Sequence, residues 1–141
     1  MSEKYEHLVV PGPTITTVSK PFWDAIARHE FYLQKCTDCD QWIFYPRTLC
    51  PYCWGNQLEW KKASGKARLK TWGVVHRPGH PAWQDVTPYI LGVVKLEEGP
   101  TMMTHLLLDS DQDLQIGLPL QVSFTKCNQV WMPFFTRLSD N

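Results

Sequence analysis

CTDCDQWIFYPRTLCPYC, residues 36–53, sets two Cys-x-x-Cys pairs ten residues apart. Such a turn can bring two thiolates to one ion while nearby backbone N–H groups point at the sulfurs. Two turns on facing hairpin arms complete a tetrahedral site, with Zn–S near ~2.3 Å. The spacer is shorter than the commonest roughly 15–20 residues, but it is long enough for a minimal β-hairpin. Cys36, Cys39, Cys50 and Cys53 are therefore the expected metal ligands. Four thiols in two matched pairs are poorly explained as ordinary core cysteines. A redox dithiol needs only one pair, on a βαβ framework that this sequence lacks. Iron in a rubredoxin-like site is the serious competitor, because four thiolates accept it too. Zinc is preferred, since nothing nearby signals an electron-transfer partner or a second cofactor. Metal knuckles often carry Gly after the second Cys, where this chain has Asp40 and Trp54. Asp tolerates left-handed backbone geometry and Trp does not. The second knuckle is thus expected to be distorted or to use Gly55.

On the N-terminal side, residues 1–18 read as an extended, Pro/Gly/Thr-rich arm. A helix is expected from an N-cap at Ser19, with Pro21 in the first turn, to Arg28 or His29. Phe22, Trp23, Ile26 and Ala27 would form its apolar stripe. Phe22 and Trp23 do not easily share one small core, so one is expected on the ribbon; the other packs in the core or covers a partner.

On the C-terminal side the pattern turns to strands. KARLKTWGVVHR (66–77) opens after Ser64-Gly65, and PYILGVVKLE (88–97) pairs with TMMTHLLLD (101–109) through Glu98-Gly99-Pro100. LQVSF (120–124) and VWMPFFTRL (130–138) follow, and Pro133 marks the last as an edge or bulged strand. Gly73 and Gly92 within strand patterns allow coiling or bulges. Five such strands without intervening helices suit a small closed barrel. The expected fold is mainly β, in three parts: arm and helix at 1–30, a ribbon at 31–58 and a barrel at 59–141.

The chain has 141 residues, 14 basic and 14 acidic side chains, and seven Trp. Zero formal charge draws in no polyanion, while the aromatic content implies surface for a groove or a partner. No apolar run approaches the ~20 residues that span a bilayer. The N-terminus lacks a secretory pattern. The expected location is the cytoplasm, where reduced thiols favour metal binding over disulfides. Cys127, far from the pairs, reads as an inert free thiol.

KPFWDAIARHEFYLQKCTDCD, YPRTLCPYC, LEWKKASGKARLKTWGVVHRP, PYILGVVKLEEGPTMMTHL and IGLPLQVSF follow one another over residues 20–125. In that order they resemble the family of zinc-ribbon plus OB-fold proteins, long known as a domain of unknown function and often called acyl-CoA-associated. The resemblance implies a rubredoxin-like four-cysteine zinc ribbon joined to a five-stranded OB-fold barrel. It also implies an accessory or scaffold subunit that docks on a thiolase-like enzyme acting on acyl-CoA thioesters. There the partner supplies acyl transfer, condensation or retro-aldol cleavage, and the barrel helps hold coenzyme A.

The residues themselves give little independent support for catalysis. His76 and His80, with Trp83 and Asp85 nearby, could act as acid and base, but no activated Ser or Cys accompanies them, and a binding loop is the better reading. His105 reads as a satisfied histidine; Glu97 and Glu98 read as solvated turn carboxylates. Lys61, Lys62, Lys66, Arg68 and Lys70 cluster at the barrel entrance. Alternate positions on one strand make a solvated face the favoured reading, with a phosphate anchor for CoA as the rival. Arg68, Lys70 and Trp83 are the candidate CoA contacts. A zinc ribbon with an OB fold also serves single-stranded nucleic-acid binding, and this is the alternative function. Zero net charge and a pI near 6.9 weigh against it.

Overall fold

Ser64-Gly65 starts the barrel, and the reason is local. Gly65 has φ +79°, in the region that favours glycine, and its carbonyl accepts the Val122 N–H at 2.7 Å. A Cβ here would fall 2.8 Å from Val122 Cγ1. The structure is a computed structural model and describes residues 5–108 and 114–138. The first four residues of the expected arm, Asp109 at the end of an expected strand, and the last three residues of the expected barrel lie outside the described residues.

Helix α1 (Lys20–Ala27) precedes β1 (Tyr32–Cys36), β2 (Trp42–Ile43) and β3 (Leu58–Lys62), which form a small antiparallel sheet in the order β2-β1-β3. The barrel strands are β4 (Lys66–Val75), β5 (Tyr89–Leu96), β6 (Thr101–Leu106), β7 (Pro119–Cys127) and β8 (Val130–Arg137). They close in the order β4-β5-β6-β8-β7, and a short 3₁₀ segment (Pro81–Val86) lies in the β4–β5 connection. All described barrel neighbours are antiparallel except β6 and β8, which pair in parallel at Leu106↔Phe135 alone. Pro133 lies upstream of that single pairing, where β8 has no described ladder with β6, so its missing N–H costs little there. Strand β3 carries the ribbon sheet past the expected boundary, since Glu59 to Lys62 still pair with β1.

Alternation explains the barrel core. On β4, Ala67 and Leu69 point inward while Lys66, Arg68 and Lys70 point out. A bulge between Leu69 and Thr71 interrupts this pattern, so the irregularity falls at Lys70 rather than at Gly73 or Gly92. Gly92 serves close packing instead: a Cβ would meet Leu106 Cδ1 at 2.7 Å. Phe31 and Leu33 share the barrel's core cluster with Leu69, Val94, Leu120 and Phe135, which anchors the ribbon on the barrel.

The helix departs from the expected stripe. Phe22, Ala25 and Ile26 are buried, Trp23 is half-buried and Ala27 is exposed. Ser19 occupies the N-cap position without capping the helix; its Oγ accepts the Thr16 N–H at 2.9 Å. The described arm opens on a turn at residues 5–7 and ends in another at residues 17–19. Tyr5 and Leu8 are buried against Val86, Tyr89, Leu107, Cys127 and Phe134, while the Glu6 carbonyl accepts the Asn128 N–H. No helix among the described residues is long and apolar enough to cross a membrane.

Candidate metal centre

The two Cys-x-x-Cys turns fold alike. Asp40 N–H donates to the Cys36 carbonyl and Trp54 N–H to the Cys50 carbonyl, both at 2.9 Å. Cys36 N–H then donates to Gln41 O at 2.9 Å, and Cys50 N–H to Gly55 O at 2.8 Å. Asp40 and Trp54 have φ 62° and 64°, so both take the left-handed position that closes the knuckle. The expectation that Trp would refuse it is corrected. The indole is 75% exposed, so no packing penalty adds to the backbone strain. Gly55 has a different task, because a Cβ there would sit 2.6 Å from Asp38 Oδ2 and 3.3 Å from Cys53 Sγ.

These turns bring the sulfurs of Cys36, Cys39, Cys50 and Cys53 within 4.8 Å of one another. Cys36 and Cys53 are 3.6 Å apart, as are Cys39 and Cys50. A disulfide would need ~2.05 Å. A tetrahedron with metal–sulfur bonds of ~2.3 Å has edges of about 3.8 Å, so the donor set fits zinc or iron of that geometry. Burial opposes ionisation of Cys50, but the amides of Cys53 and Tyr52 and the adjacent thiols outweigh it and hold that thiol down at about 7. The Cys39 thiol, against the Gln41 amide, is instead pushed up to about 12 by burial and its neighbouring thiols. The Tyr52 N–H lies 3.4 Å from Cys50 Sγ. A knuckle amide thus favours the thiolate that a metal requires.

A buried amide braces the ribbon. Gln34 Nε2 donates to Arg47 O at 2.9 Å, and its Oε1 accepts the Arg47 N–H at 2.7 Å. Sequence reasoning missed this clamp; its only trace is a polar residue between the apolar positions of β1.

The expected CoA contacts are not gathered at one point. Arg68 pairs across the strands with Lys95, whereas Trp83 packs on Tyr89 and His105. Lys95 lies six residues along β5 from Tyr89, or roughly 20 Å of strand. Arg68 lines a groove of about 350 Å³ with Lys66, Lys95, Glu97, Pro119 and Leu138. Lys70 and Trp83 do not line that groove. Lys95 was not singled out from the sequence, although β4–β5 pairing puts it opposite Arg68.

A second groove of about 270 Å³ follows the open β6–β8 seam, between Phe22, Trp23 and Tyr45 on one side and Met102, His105, Met132 and Phe134 on the other. His105 stacks between Tyr89 and Phe134, with ring centroids 4.7 Å from each, so it is held by aromatic neighbours. His80 Nδ1 accepts the Ala82 N–H at 3.0 Å and caps the 3₁₀ segment, while His76 and Asp85 are exposed. Glu98 is a positioned turn carboxylate that accepts the Ser64 N–H at 2.8 Å. Burial pushes the Cys127 thiol up to about 11, as suits an inert core thiol.

Residues 23–59 match the family model described as "ChsH2, rubredoxin-like zinc ribbon domain", and residues 60–125 match "ChsH2, C-terminal OB-fold domain". A "DUF35 domain-containing scaffold protein" of Methanothermobacter thermautotrophicus is 33% identical over 104 residues, covering 72% of this chain and 77% of that protein. A "Probable enoyl-CoA hydratase alpha subunit" of Thermomonospora curvata is 25% identical over 126 residues; these are 89% of this chain but 39% of the relative's length. A chain of the solved "Ltp2-ChsH2(DUF35) aldolase" superposes with a TM-score of 0.78 at 24% identity, covering 89% of this chain and 98% of that one.

Proposed function

The chain belongs to the DUF35 family, which joins a rubredoxin-like zinc ribbon to an OB-fold domain, and from that premise we propose an accessory subunit of an acyl-CoA-processing complex. Its partner is a thiolase-like protein that performs acyl transfer, condensation or retro-aldol cleavage, and this chain docks that partner and helps hold the CoA thioester. The observation that carries the reading is the 33% identity, over 72% of the chain, to a protein described as a scaffold. The enoyl-CoA hydratase description of another relative supplies the acyl-CoA context.

The metal's part follows from its donors. Cys36, Cys39, Cys50 and Cys53 would hold zinc with four protein ligands. Such a centre keeps no open position for substrate and stabilises fold rather than chemistry. CoA contact through Arg68, Lys70 and Trp83 would require a ligand extended along the β4–β5 pair, with its nucleotide at the Arg68 end.

Co-expression with a thiolase-fold protein encoded beside this chain tests the docking, by size-exclusion chromatography with light scattering. A stoichiometric complex is expected. Two separate species, together with retention of this chain on single-stranded DNA at ~0.15 M salt, would favour nucleic-acid binding instead.

A further inference from the structure

Of the four clustered thiols only Cys53 is exposed; Cys36 and Cys50 are fully buried and Cys39 is half-buried. Tyr52 and Trp54, on either side of Cys53, are exposed as well, so the second knuckle stands in solvent. A bound metal holds all four sulfurs as thiolates, and exposure then decides which of them an oxidant meets first. Cys53 Sγ lies 3.6 Å from Cys36 Sγ on the other knuckle. The metal centre is also joined to the groove along the β6–β8 seam. Residues 40–49, between the two knuckles, carry Phe44 and Tyr45, which line that groove. Tyr45 accepts the Trp23 indole N–H at 2.8 Å, and Gln34 clamps the Arg47 backbone. Cys39 and Cys50 fasten the two ends of this segment, so a change in their ligation reaches the groove wall.

We propose that the metal centre is a redox-sensitive switch, triggered at Cys53 by hydrogen peroxide, that releases the Tyr45 wall of the groove. The Cys53 thiolate attacks the peroxide: an S–O bond forms, the O–O bond breaks and hydroxide leaves. Sulfur loses two electrons in that step and the peroxide gains them. The Cys36 thiolate then attacks the sulfenic sulfur of Cys53; an S–S bond forms, the S–O bond breaks and a second hydroxide leaves. Solvent protonates both hydroxides. The Cys36–Cys53 disulfide crosses the knuckles and leaves Cys39 and Cys50 as the two remaining donors, too few to keep zinc. Thiol reductant reverses the exchange and restores the four-sulfur set. None of these steps depends on the acyl-CoA reading above.

Titration of the zinc-loaded full chain with hydrogen peroxide, in the presence of a chromophoric zinc chelator and without reductant, tests this. Zinc release should track disulfide formation. Dimedone trapping at early times, followed by peptide mapping, should find the sulfenic acid at Cys53; without the trap, the disulfide should join Cys36 to Cys53. Cys53→His keeps a fourth donor of a kind that zinc accepts and removes the exposed thiolate, so it should release zinc at least about tenfold more slowly. Cys39→His retains that thiolate and should release zinc about as fast as the unsubstituted chain. If Cys53→His fails to hold zinc, the trapping experiment on the unsubstituted chain decides alone. Hydrogen exchange should show residues 44–47 losing protection on oxidation and regaining it with dithiothreitol and zinc. Zinc retained under excess peroxide, a first label on Cys36, Cys39 or Cys50, or Cys53→His releasing zinc at the unsubstituted rate overturns the proposal. A disulfide within one knuckle overturns the closure across them, and unchanged protection at 44–47 overturns the link to the groove.

Discussion

Trp23 donates its indole N–H to the Tyr45 hydroxyl at 2.8 Å, tying helix α1 to the ribbon's loop beside the open β6–β8 seam. Beneath that bond, Phe22 is fully buried and makes edge contacts with Phe31, Phe44 and Tyr45. The two adjacent aromatics thus divide their tasks: Phe22 packs and Trp23 lines a groove. Phe22→Ala should cost about 3–5 kcal/mol in denaturant unfolding, because it opens a cavity in a closed aromatic cluster. Trp23→Phe keeps the ring and should cost only about 0.5–1.5 kcal/mol. Equal costs would contradict this division.

Metal analysis of the purified chain should return about one zinc per chain. Cys36→Ser or Cys50→Ser should lose the metal and leave the ribbon protease-sensitive, since both sulfurs are fully buried in the cluster. Structural zinc in small ribbons contributes roughly 10–16 kcal/mol at neutral pH, far beyond what so few core residues supply. Cys127→Ser should retain the metal. A red protein carrying one iron would move the chain to electron transfer.

Trp54 adopts φ 64° with 75% of its surface exposed, so its backbone strain brings no burial in return. Trp54→Gly removes a left-handed penalty of about 1–2 kcal/mol, partly offset by glycine's greater freedom when unfolded. The isolated chain should keep its metal and unfold at the same or a slightly higher temperature. Metal loss in this variant would show that the indole shields the thiolates.

Alkaline pH should weaken the fold in two overlapping steps. Burial raises Cys127 from 9.0 to about 11. Burial, and then the nearby Cys127 and Tyr89, raise Tyr5 from 10.0 to about 12. Both groups ionise more readily in the unfolded chain, so their contribution is fully present below pH 9 and is lost as pH rises from 9 towards 12. Cys127→Ala should remove the first part of that loss in urea titrations at stepped pH. Spectrophotometric titration should show a late-ionising component that Tyr5→Phe abolishes. Unfolding free energy that stays flat across this range would contradict the burial of both groups.

The sequence made the two cysteine pairs, the helix and all five barrel strands legible, because each rests on short-range pattern: ligand spacing, a proline start, and alternation bounded by glycine turns. It misjudged Trp54, where the geometry of a metal knuckle overrides a weak residue preference. It placed Ala27 rather than Ala25 on the buried face, because the adjacent aromatics Phe22 and Trp23 drew the stripe sideways. Phe22, Ala25 and Ile26 are instead the i, i+3, i+4 set that shares one helix face. The candidate site was harder still. Lys95 and Arg68 are 27 residues apart in the chain and meet only through strand register. Trp83 looked close to Arg68 in sequence, yet the β4–β5 pair sets them at opposite ends. Gln34 left only a polar residue in β1 as its trace, because a clamp on Arg47 is a tertiary contact.

The account stands on this chain supporting a reaction that another protein performs. The direct measurement is acyl-CoA turnover by the zinc-loaded chain alone, by the proposed thiolase-like partner alone, and by the purified complex. The account predicts no turnover from the chain alone and the highest rate from the complex. Thioester turnover by the isolated chain, or a partner whose rate this chain leaves unchanged, would contradict it.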